Sequence, residues 1–318
     1  MALSKCLYHF PCPDGITAAL ACHLFHTQKG IPLQLIPHTT YADLSIDDLD
    51  LNVYQTVYLL DYAGPPGFAI KLAERVAKCI ILDHHKTAAE HLTGPATASL
   101  PSNLHVVFDM NRSGAMLALD YFKPEGLSPE NIDFFKHIED GDLWSWKIPG
   151  SKEFYSGLTT AGLNFDARSN PQIFDQLLAI NPSKLIEIGI AELERQNTLI
   201  ASAMERAHVV NLGGKKGEAA GWGRALALFV EGELVQIRSQ LGNALAAESS
   251  TRGLRPMAAV VYKEPGIDAE KSILKVSLRS IGEKEDTTLI SQFYGGGGHC
   301  NASAFLLEET EFESWKTT

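Results

Sequence analysis

Side chains that bind metal ions follow directly after three short apolar segments near the start of the chain. Residues 6–8 lead to His9, residues 57–60 lead to Asp61, and residues 80–82 lead to Asp83, His84 and His85. An apolar run that stops on such residues is typical of a buried strand whose carboxyl end opens onto a ligand site. Each residue alone has a plainer explanation, as a turn or a helix cap. The three strand ends together favour one shared site over coincidence.

The candidate ligands have the donor types of a divalent-metal site. In chain order they are His9, Cys12, Asp14, Asp61, Asp83, His84, His85, Asp140 and Asp142. Carboxylates gathered at a sheet end repel one another unless a cation lies between them. A mixed imidazole and carboxylate set suits Mn²⁺, Fe²⁺, Co²⁺ or Zn²⁺ better than Ca²⁺. Two such ions can activate a water for phosphoryl displacement, and Asp61 is expected to bridge them from the middle of the sheet.

The order of the predicted elements indicates an α/β protein with two domains. Strand-like and helix-like segments alternate through about the first 150 residues, which favours a mostly parallel sheet with helices on both faces. Apolar residues at helical spacing between positions 182 and 208 predict a long connecting helix. We therefore expect a parallel-sheet domain over residues 1–182, a helical linker over 183–208, and a smaller mixed α/β domain over 209–318.

Composition and charge restrict the partners. The net charge of −11 lacks the cationic field that binds long duplex nucleic acid, but it allows a local site where metal ions supply positive charge. The five scattered cysteines form no metal-finger spacing and predict reduced thiols. No apolar run approaches the ~20 residues of a membrane helix, and the first residues lack a signal-peptide pattern. We expect a cytoplasmic protein without membrane contact, and a homodimer is compatible with the sequence.

A predicted helix that opens with Ser113 is a first candidate for phosphate binding. Ser113, Gly114 and Ala115 begin this helix beside Arg112. A helix N-terminus with a hydroxyl group and small residues can bind an anion. Plain capping and close helix packing explain the same residues equally well.

Four consecutive glycines at positions 295–298, followed by His299, are a second candidate. They could form a flexible linker, but they lead into a run of small residues and a predicted strand. Backbone amides in such a loop can form an anion-binding nest. We therefore expect Gly296, Gly297, Gly298 and His299 to contact a substrate phosphate, with a core or capping histidine as the alternative.

The motifs, taken in order, resemble those of the DHH phosphoesterases and their companion DHHA1 domain. The matching segments are 9–15 (HFPCPDG), 60–61 (LD), 83–85 (DHH), 140–144 (DGDLW) and 295–299 (GGGGH). The triplet alone is a weak signal, but five motifs in the right order over almost the whole chain are specific. The resemblance implies a metal-dependent phosphoesterase with an active site between its two domains. Two Mn²⁺ ions are expected, with zinc, iron, cobalt and magnesium as alternatives.

The resemblance also implies a role for each site residue. One ion would be bound by His9, Asp61 and the residue at position 12, and the other by Asp14, Asp61, His84 and Asp140. His85 would face the substrate phosphate and stabilise its charge, while Asp83 would orient His84. Domain closure would bring Arg279, the glycine loop and His299 onto the substrate. A metal-activated water would attack phosphorus without a covalent protein intermediate.

The chain departs from the family pattern at Cys12, where the usual first motif has an aspartate. A thiolate is a softer ligand that shifts the metal preference towards zinc, iron or cobalt. Alternatively, Cys12 stays a neutral buried thiol and the first ion binds weakly or not at all. The fourth motif offers both Asp140 and Asp142. We expect Asp140 to bind the metal because it directly follows the predicted helix.

The expected activity is hydrolysis of a phosphodiester or phosphomonoester of a short nucleotide, such as a dinucleotide, a nanoRNA or a pAp-like nucleotide. The acidic charge disfavours a processive nuclease with a long basic channel. One alternative is a polyphosphate or phosphoanhydride hydrolase, which would need more cations than Lys86, Arg112, Lys147 and Arg279. The other alternative is a catalytically weak, nucleotide-binding regulator in which Cys12 disables one metal site.

Overall fold

The chain folds into two compact units, Met1–Leu193 and Glu194–Thr318. The structure, a computed structural model, describes residues 3–39, 44–51, 54–263, 272–282 and 284–316. Each unit contains its own sheet, which is parallel in the first unit and mixed in the second. The predicted α/β class, with a mostly parallel sheet and a smaller mixed unit, is confirmed.

Five parallel strands form the sheet of the first unit. The strands are β1 (Leu3–His9), β2 (Leu33–His38), β3 (Tyr54–Leu60), β4 (Lys78–Asp83) and β5 (Leu104–Phe108). The helices are α1 (Pro13–Lys29), α2 (Phe68–Ala73), α3 (Lys86–Leu92), α4 (Gly114–Phe122), α5 (Pro129–Asp142), α6 (Ser151–Thr160) and α7 (Ile173–Leu178), with 3₁₀ helices at Ile46–Leu49 and Gly94–Ser99. The strand order across the sheet is β2-β1-β3-β4-β5.

The central strands of this sheet contribute to two separate cores. In β1, Cys6 and Tyr8 pack in one core while Leu7 packs in the other. Strands β3 and β4 alternate in the same way, because successive side chains of a strand point to opposite faces. Apolar residues of α1, α4, α5 and α6 complete the first core, and those of α2 complete the second. Covered on both faces, these strands have the continuous apolar runs seen in the sequence.

The strand order places a ligand site at the carboxyl ends of the strands. The chain passes from β1 to β2 on one side and then crosses to β3 on the other side. The junction of β1 and β3 is therefore a topological switch point, where open α/β sheets leave a crevice for ligands. The parallel register of β1, β3 and β4 aligns Tyr8, Leu60 and Leu82 in one row. The polar residue that follows each of them emerges at the same edge.

Helix α8 (Pro182–Met204) runs across the division between the two units. Leu185, near its start, packs in the first unit's core, whereas Ile200 and Ala203, near its end, pack in a core of the second unit. The apolar residues at helical spacing thus lie in one helix, which ends at Met204, short of the expected limit at residue 208. Each end of the helix contributes to a different core. Within the described residues, no helix has both the length and the apolar character needed to cross a membrane.

The second unit carries a six-stranded mixed sheet. The strands are β6 (His208–Asn211), β7 (Arg224–Phe229), β8 (Met257–Tyr262), β9 (Ile273–Ser280), β10 (Gly297–His299) and β11 (Ala302–Glu308). The helices are α9 (Gly214–Ala219), α10 (Glu233–Gln236), α11 (Arg238–Thr251), α12 (Thr288–Phe293) and α13 (Glu309–Glu313). The order is β10-β11-β9-β8-β7-β6, in which β7 and β8 run parallel and the other neighbours antiparallel.

The glycine run is part of this second sheet. Strand β10 pairs with β11 at the edge of the sheet, and Gly296 donates its backbone amide to the carbonyl of Ser291 at 2.8 Å. A Cβ atom at Gly296 would overlap the carbonyl oxygen of Ala304. The run is therefore a packed hairpin strand that approaches β11 closely, and it is not a flexible linker.

We expect Gly296→Ala to destabilise the protein by about 2–3 kcal/mol, because the added methyl group must push the chain away from Ala304. Gly253→Ala is the matched control, since Gly253 has a φ of 70° with open space around it. That substitution should cost only about 1 kcal/mol of backbone strain. Urea unfolding of the three proteins measures the difference. Equal costs would show that the approach of β10 to β11 does not require glycine.

Candidate metal centre

Asp61 lies at the centre of the polar groups at the carboxyl ends of the strands. Its Oδ2 is 3.1 Å from His9 Nδ1, and its Oδ1 is 3.1 Å from His84 Nε2. The residue has a left-handed backbone with a φ of 53°, a conformation that aspartate tolerates better than most residues. Its amide donates to the carbonyl of Leu82 on β4 at 2.8 Å. The two buried carboxylate oxygens therefore face two different histidines, as a bridging ligand requires.

Asp14 reaches the same place from the first turn of α1. Its carboxylate accepts hydrogen bonds from the amides of Gly114 (2.6 Å) and Ala115 (3.0 Å), and its Oδ2 lies 3.6 Å from His84 Nε2. The N-terminus of α4 therefore binds an anion, which is one of the two possibilities that the sequence left open, but that anion is a carboxylate of the protein. Ser113 caps the helix by accepting from the amide of Met116 at 3.2 Å.

Gly114 allows α4 to approach the strand ends. A Cβ atom at this position would lie 2.6 Å from the Cβ of Asp61 and 2.8 Å from Oδ2 of Asp14. Contacts this short would displace one of the two carboxylates. Glycine at position 114 is thus required by the packing of the site, beyond the capping function of its neighbour Ser113.

The two aspartates in the last turn of α5 have different surroundings. Asp142 Oδ2 lies 3.4 Å from His84 Nε2 and has no hydrogen-bond partner within the described part of the chain. The Asp140 carboxylate instead accepts hydrogen bonds from the Ser145 hydroxyl (2.6 Å) and from the amides of Lys147 (2.8 Å) and Ile148 (3.1 Å). The expectation was that Asp140 lies at the site, whereas the structure has Asp142 beside His84. Which of the two aspartates binds a metal ion stays a prediction. Asp140 is committed to the loop after α5, and Asp142 lies beside the histidine.

Asp83 contacts both histidines that follow it in the triplet. Its Oδ1 accepts hydrogen bonds from the amides of His84 (2.8 Å) and His85 (3.2 Å) and lies 2.7 Å from Nδ1 of His85. The structure therefore shows Asp83 orienting the His85 imidazole directly and the His84 backbone through its amide. Burial lowers the pKa of His85, but the charge of Asp83, its hydrogen bond and the charge of Asp61 together outweigh burial and raise that pKa above its usual value.

Cys12 is the N-cap residue of α1 and is half-buried. Burial raises the pKa of its thiol well above the usual range, and the charges of Asp61, Asp142 and Asp14 add to this effect. These carboxylates favour the protonated thiol, because a thiolate would add a further negative charge beside them. Whether Cys12 binds a metal ion stays a prediction.

Among the described residues of the first unit, six side chains form two adjacent groups of donor atoms. The first group is His9, Asp61 and His85, and the second is Asp14, His84 and Asp142, with the donor atoms of each group within 4.8 Å of one another. The 3.1 Å contact between Asp61 and His84 joins the groups. The mixed imidazole and carboxylate donors, together with the unpartnered oxygen of Asp142, fit a pair of divalent first-row ions. The Cys12 thiol belongs to neither group.

Burial and mutual repulsion make two of these carboxylates difficult to ionise. Burial raises the pKa of Asp14 well above its usual range, with the charges of Asp142 and Asp61 adding to the effect. Burial also raises the pKa of Asp142, although His84 opposes this shift. For Asp61 burial acts in the same direction, but hydrogen bonds with His84 and His9 outweigh it and hold the pKa well below its usual range. A divalent cation would offset the repulsion.

Arg112, expected to contact substrate, is engaged by acidic residues. Its Nε donates to Glu139 Oε1 at 2.8 Å, and its Nη1 lies 2.8 Å from Asp120 Oδ2. The same Glu139 oxygen accepts from the amide of Ser113 at 3.3 Å. The structure thus gives Arg112 and Ser113 positions that brace the start of α4. A substrate contact of either residue stays a prediction.

Sequence reasoning missed His38 and Tyr155. His38 ends β2 in register with His9, and burial lowers its pKa to about 4, with His9 adding to the shift. The signal was present, because residues 33–38 also form a strand that ends on a histidine. Tyr155 donates to the carbonyl of Ile138 at 2.5 Å and occupies the space beside Gly141, where a Cβ atom would overlap its ring. No local pattern indicates the position of Tyr155.

The substrate residues predicted for the second unit lie on its sheet. Arg279, on β9, donates to the Ser277 hydroxyl (2.9 Å), the Leu278 carbonyl (2.8 Å) and the Ser239 hydroxyl (2.8 Å). His299 ends β10, and its carbonyl accepts from the Thr287 hydroxyl at 3.3 Å. These contacts fix both residues within the unit. Their contact with a substrate phosphate stays a prediction.

Comparison with known sequences finds one relative along most of the chain. No family model matches. An uncharacterized protein of Acanthamoeba polyphaga mimivirus is 27% identical over 311 residues, which are 93% of this chain and 66% of the viral protein. The chain thus spans just under two thirds of that relative's length.

Comparison with solved structures identifies the fold. RecJ from Thermus thermophilus in complex with Mn²⁺ has a TM-score of 0.54 at 14% identity, covering 98% of this chain and 50% of RecJ. An exopolyphosphatase-related protein from Bacteroides fragilis has a TM-score of 0.52 at 14% identity, covering 98% and 90% of the two chains. CDC45 from Entamoeba histolytica has a TM-score of 0.52 at 12% identity, covering 98% and 94%. The chain therefore has a RecJ-like fold, as the motifs implied.

We expect Asp142→Asn to weaken Mn²⁺ binding by at least about tenfold, because it removes a charged donor from the second group. Asp140→Asn is the matched control, since it makes the same chemical change two residues away and keeps an oxygen acceptor for the loop. Its dissociation constant should stay within about threefold of the wild-type value, because Asp140 is engaged by the loop and contributes no donor atom to either group. Isothermal calorimetry with the metal-stripped proteins measures both. A larger loss in Asp140→Asn would restore Asp140 as the metal ligand.

Proposed function

We propose that the protein is a divalent-metal-dependent phosphoesterase that hydrolyses a phosphate ester of a short nucleotide. The observation that carries this proposal is the Asp61 carboxylate, whose two oxygens face His9 and His84 at 3.1 Å each. A carboxylate shared between two donor groups is the arrangement of two-metal phosphoryl-transfer sites. RecJ, which has the same fold, has been crystallised with Mn²⁺. That metal supports our choice of Mn²⁺ for this chain.

The two donor groups would each hold one ion. His9 and Asp61 would hold the first, with His85 beside it, and Asp14, His84 and Asp142 would hold the second, with Asp61 shared between the two. When bound, the ions would supply positive charge that lowers the pKa of an attacking water and polarises the phosphate. The protein holds the side chains of the site in place. Asp83 accepts from the His84 amide and contacts the His85 ring, and the N-terminus of α4 donates to Asp14.

His85 would provide charge at the phosphate. Its Nδ1 lies 2.7 Å from Asp83, which orients the ring and raises the pKa of the imidazole. A cationic imidazole stabilises negative charge that develops on the phosphate oxygens in the transition state. Because Asp83 engages Nδ1, Nε2 is the nitrogen that would contact the phosphate.

The polyphosphate alternative is less well supported, because cationic side chains that it would need are paired with acidic residues. A long polyanion needs a dense cationic lining, and Arg112 is already paired with Glu139 and Asp120. Lys86 likewise lies 3.7 Å from Glu90. The net charge of −11 adds to the repulsion of such a substrate. The exopolyphosphatase-related protein shares only the fold with this chain, so a short nucleotide with few charges stays the proposed substrate.

We expect chelation to abolish hydrolysis of one nucleotide substrate and Mn²⁺ to restore it. The panel comprises pApA, pAp, a short RNA, an aryl phosphodiester and polyphosphate, with released nucleotide or phosphate quantified. Asp61→Ala should lose at least about 1,000-fold in kcat/KM, because both donor groups depend on it. Asp47→Ala, at an exposed ion pair with Arg75, is the control and should keep full activity. Full turnover by Asp61→Ala would contradict the two-ion site.

Cys12→Asp separates a working enzyme from a nucleotide-binding regulator. Cys12 lies beside buried carboxylates that raise its pKa, so an added carboxylate should either bind a cation or increase the repulsion. For an active enzyme whose thiol serves its site, we expect turnover to fall by about tenfold or more. Cys12→Ser is the control for the size of the side chain. A gain of turnover in Cys12→Asp would instead favour the regulator, in which the cysteine disables one metal site.

A further inference from the structure

The loop that follows Asp142 holds two tryptophans in an unusual backbone conformation. In this segment, residues 143–150, here named the tryptophan loop, Trp144 has a φ of 54° and Trp146 a φ of 51°. A left-handed backbone is unfavourable for a bulky side chain, and it persists only where the surrounding structure enforces it. The intrinsic backbone preference of tryptophan therefore does not explain the conformation of this loop.

Asp140 supplies the restraint. Its carboxylate accepts hydrogen bonds from the Ser145 hydroxyl and the amides of Lys147 and Ile148, and its carbonyl accepts from the Ser145 amide at 2.9 Å. The carbonyl also accepts from the Trp146 amide at 3.4 Å, so a single residue receives five hydrogen bonds from the loop. Asp140, which the sequence analysis expected at the metal site, thus positions the tryptophan loop.

A continuous set of contacts connects the loop with the metal centre. The rings of Trp144 and Trp146 pack edge to face with centroids 4.9 Å apart, and Trp146 packs against Tyr155 at 5.8 Å. Tyr155 fills the space beside Gly141, so closely that a Cβ atom there would overlap its ring. The residue after Gly141 is Asp142, whose carboxylate faces His84. The two tryptophans are thus packed onto the helix turn that carries a donor of the second group.

Trp144 ends this set of contacts at the protein surface. Its side chain is 37% exposed, although its neighbour Trp146 is half-buried between Trp144 and Tyr155. Lys152 Nζ lies 5.9 Å from the centroid of the Trp146 ring. An exposed indole stacks on any nucleobase, and a cation nearby favours an anionic ligand.

We propose that Trp144 stacks on a nucleobase of the substrate while the substrate's phosphate lies at the metal centre. The tryptophan loop would then select nucleotides over phosphate compounds without a base. This inference rests on the proposed phosphoesterase function and adds the feature by which the substrate is recognised. An exposed indole, with Lys152 on the neighbouring Trp146 ring, matches a planar, anionic ligand better than a protein partner, which would require a broad apolar patch.

The test compares the dinucleotide pApA with its abasic counterpart, which has the same phosphates and sugars but no bases. We expect Trp144→Ala to lower kcat/KM for pApA by about tenfold or more, mainly through KM, because base stacking on an aromatic side chain has this magnitude. The same variant should leave hydrolysis of the abasic compound within about twofold of wild type, and Trp144→Phe should recover most of the loss for pApA. Tyr121→Ala, which removes a similarly exposed aromatic ring of the first unit, should change neither.

An equal loss on both substrates would overturn the proposal, because it would mean that Trp144 only supports the loop. No loss on either substrate would overturn it as well. If the wild-type protein hydrolyses neither compound, the proposed function fails, and the stacking inference is tested separately by binding. Titration with AMP should then quench the intrinsic tryptophan fluorescence of the wild type, and Trp144→Phe should remove that quenching. Equal quenching in both proteins would reject the stacking role.

Discussion

The candidate site depends on the parallel register of β1, β3 and β4. The register aligns Tyr8, Leu60 and Leu82, so the residue after each of these lies at the same edge of the sheet. This edge includes the switch point between β1 and β3, from which the strand order proceeds to β2 on one side and to β4 on the other. A slip of one residue in any of the three strands would send a polar side chain to the opposite face and an apolar one into the site. The two cores on either side of the sheet hold the register in place.

The second constraint is the repulsion among buried carboxylates. The protein supplies partial compensation from several sources: amides of Gly114 and Ala115 for Asp14, imidazoles for Asp61, and amides of the triplet for Asp83. A helix N-terminus carries partial positive charge and is well suited to the first of these tasks. This compensation is incomplete, since the pKa of Asp14 stays well above its usual range. Divalent cations at the proposed site would supply the missing positive charge.

The sequence predicted the fold and most of the polar residues of the site, because strand ends that carry ligand-type residues have a local signature. It could not choose between Asp140 and Asp142. Residues two apart on a helix point roughly 200° away from each other, so only one can face the strands, and the pattern does not say which. In the structure Ser145 and Lys147 bind Asp140 from the following loop, and Asp142 lies beside His84.

Contacts between distant segments account for the other differences. Gly114 meets Asp61 only because α4 packs on the strand ends, and Tyr155 meets Gly141 only because α6 packs beside α5. The sequence analysis made Arg112 a candidate for substrate binding because its ion-pair partners, Asp120 in α4 and Glu139 in α5, are not its neighbours along the chain. Such pairings depend on tertiary packing, which the spacing of residues along the chain does not encode. His38 is different, since its signal was the same as that of His9.

The carboxylate cluster also bears on how long the protein persists in a cell. A protein whose folded state binds ions that the unfolded chain does not hold gains stability in proportion to the logarithm of their concentration. Burial and nearby carboxylates raise the pKa values of Asp14 and Asp142. Part of this gain would therefore come from a cation that relieves the electrostatic repulsion among these side chains. Proteases act on the fraction of molecules that are open. Scarcity of the metal would therefore shorten the lifetime of the protein, so that its abundance follows the supply of the ion.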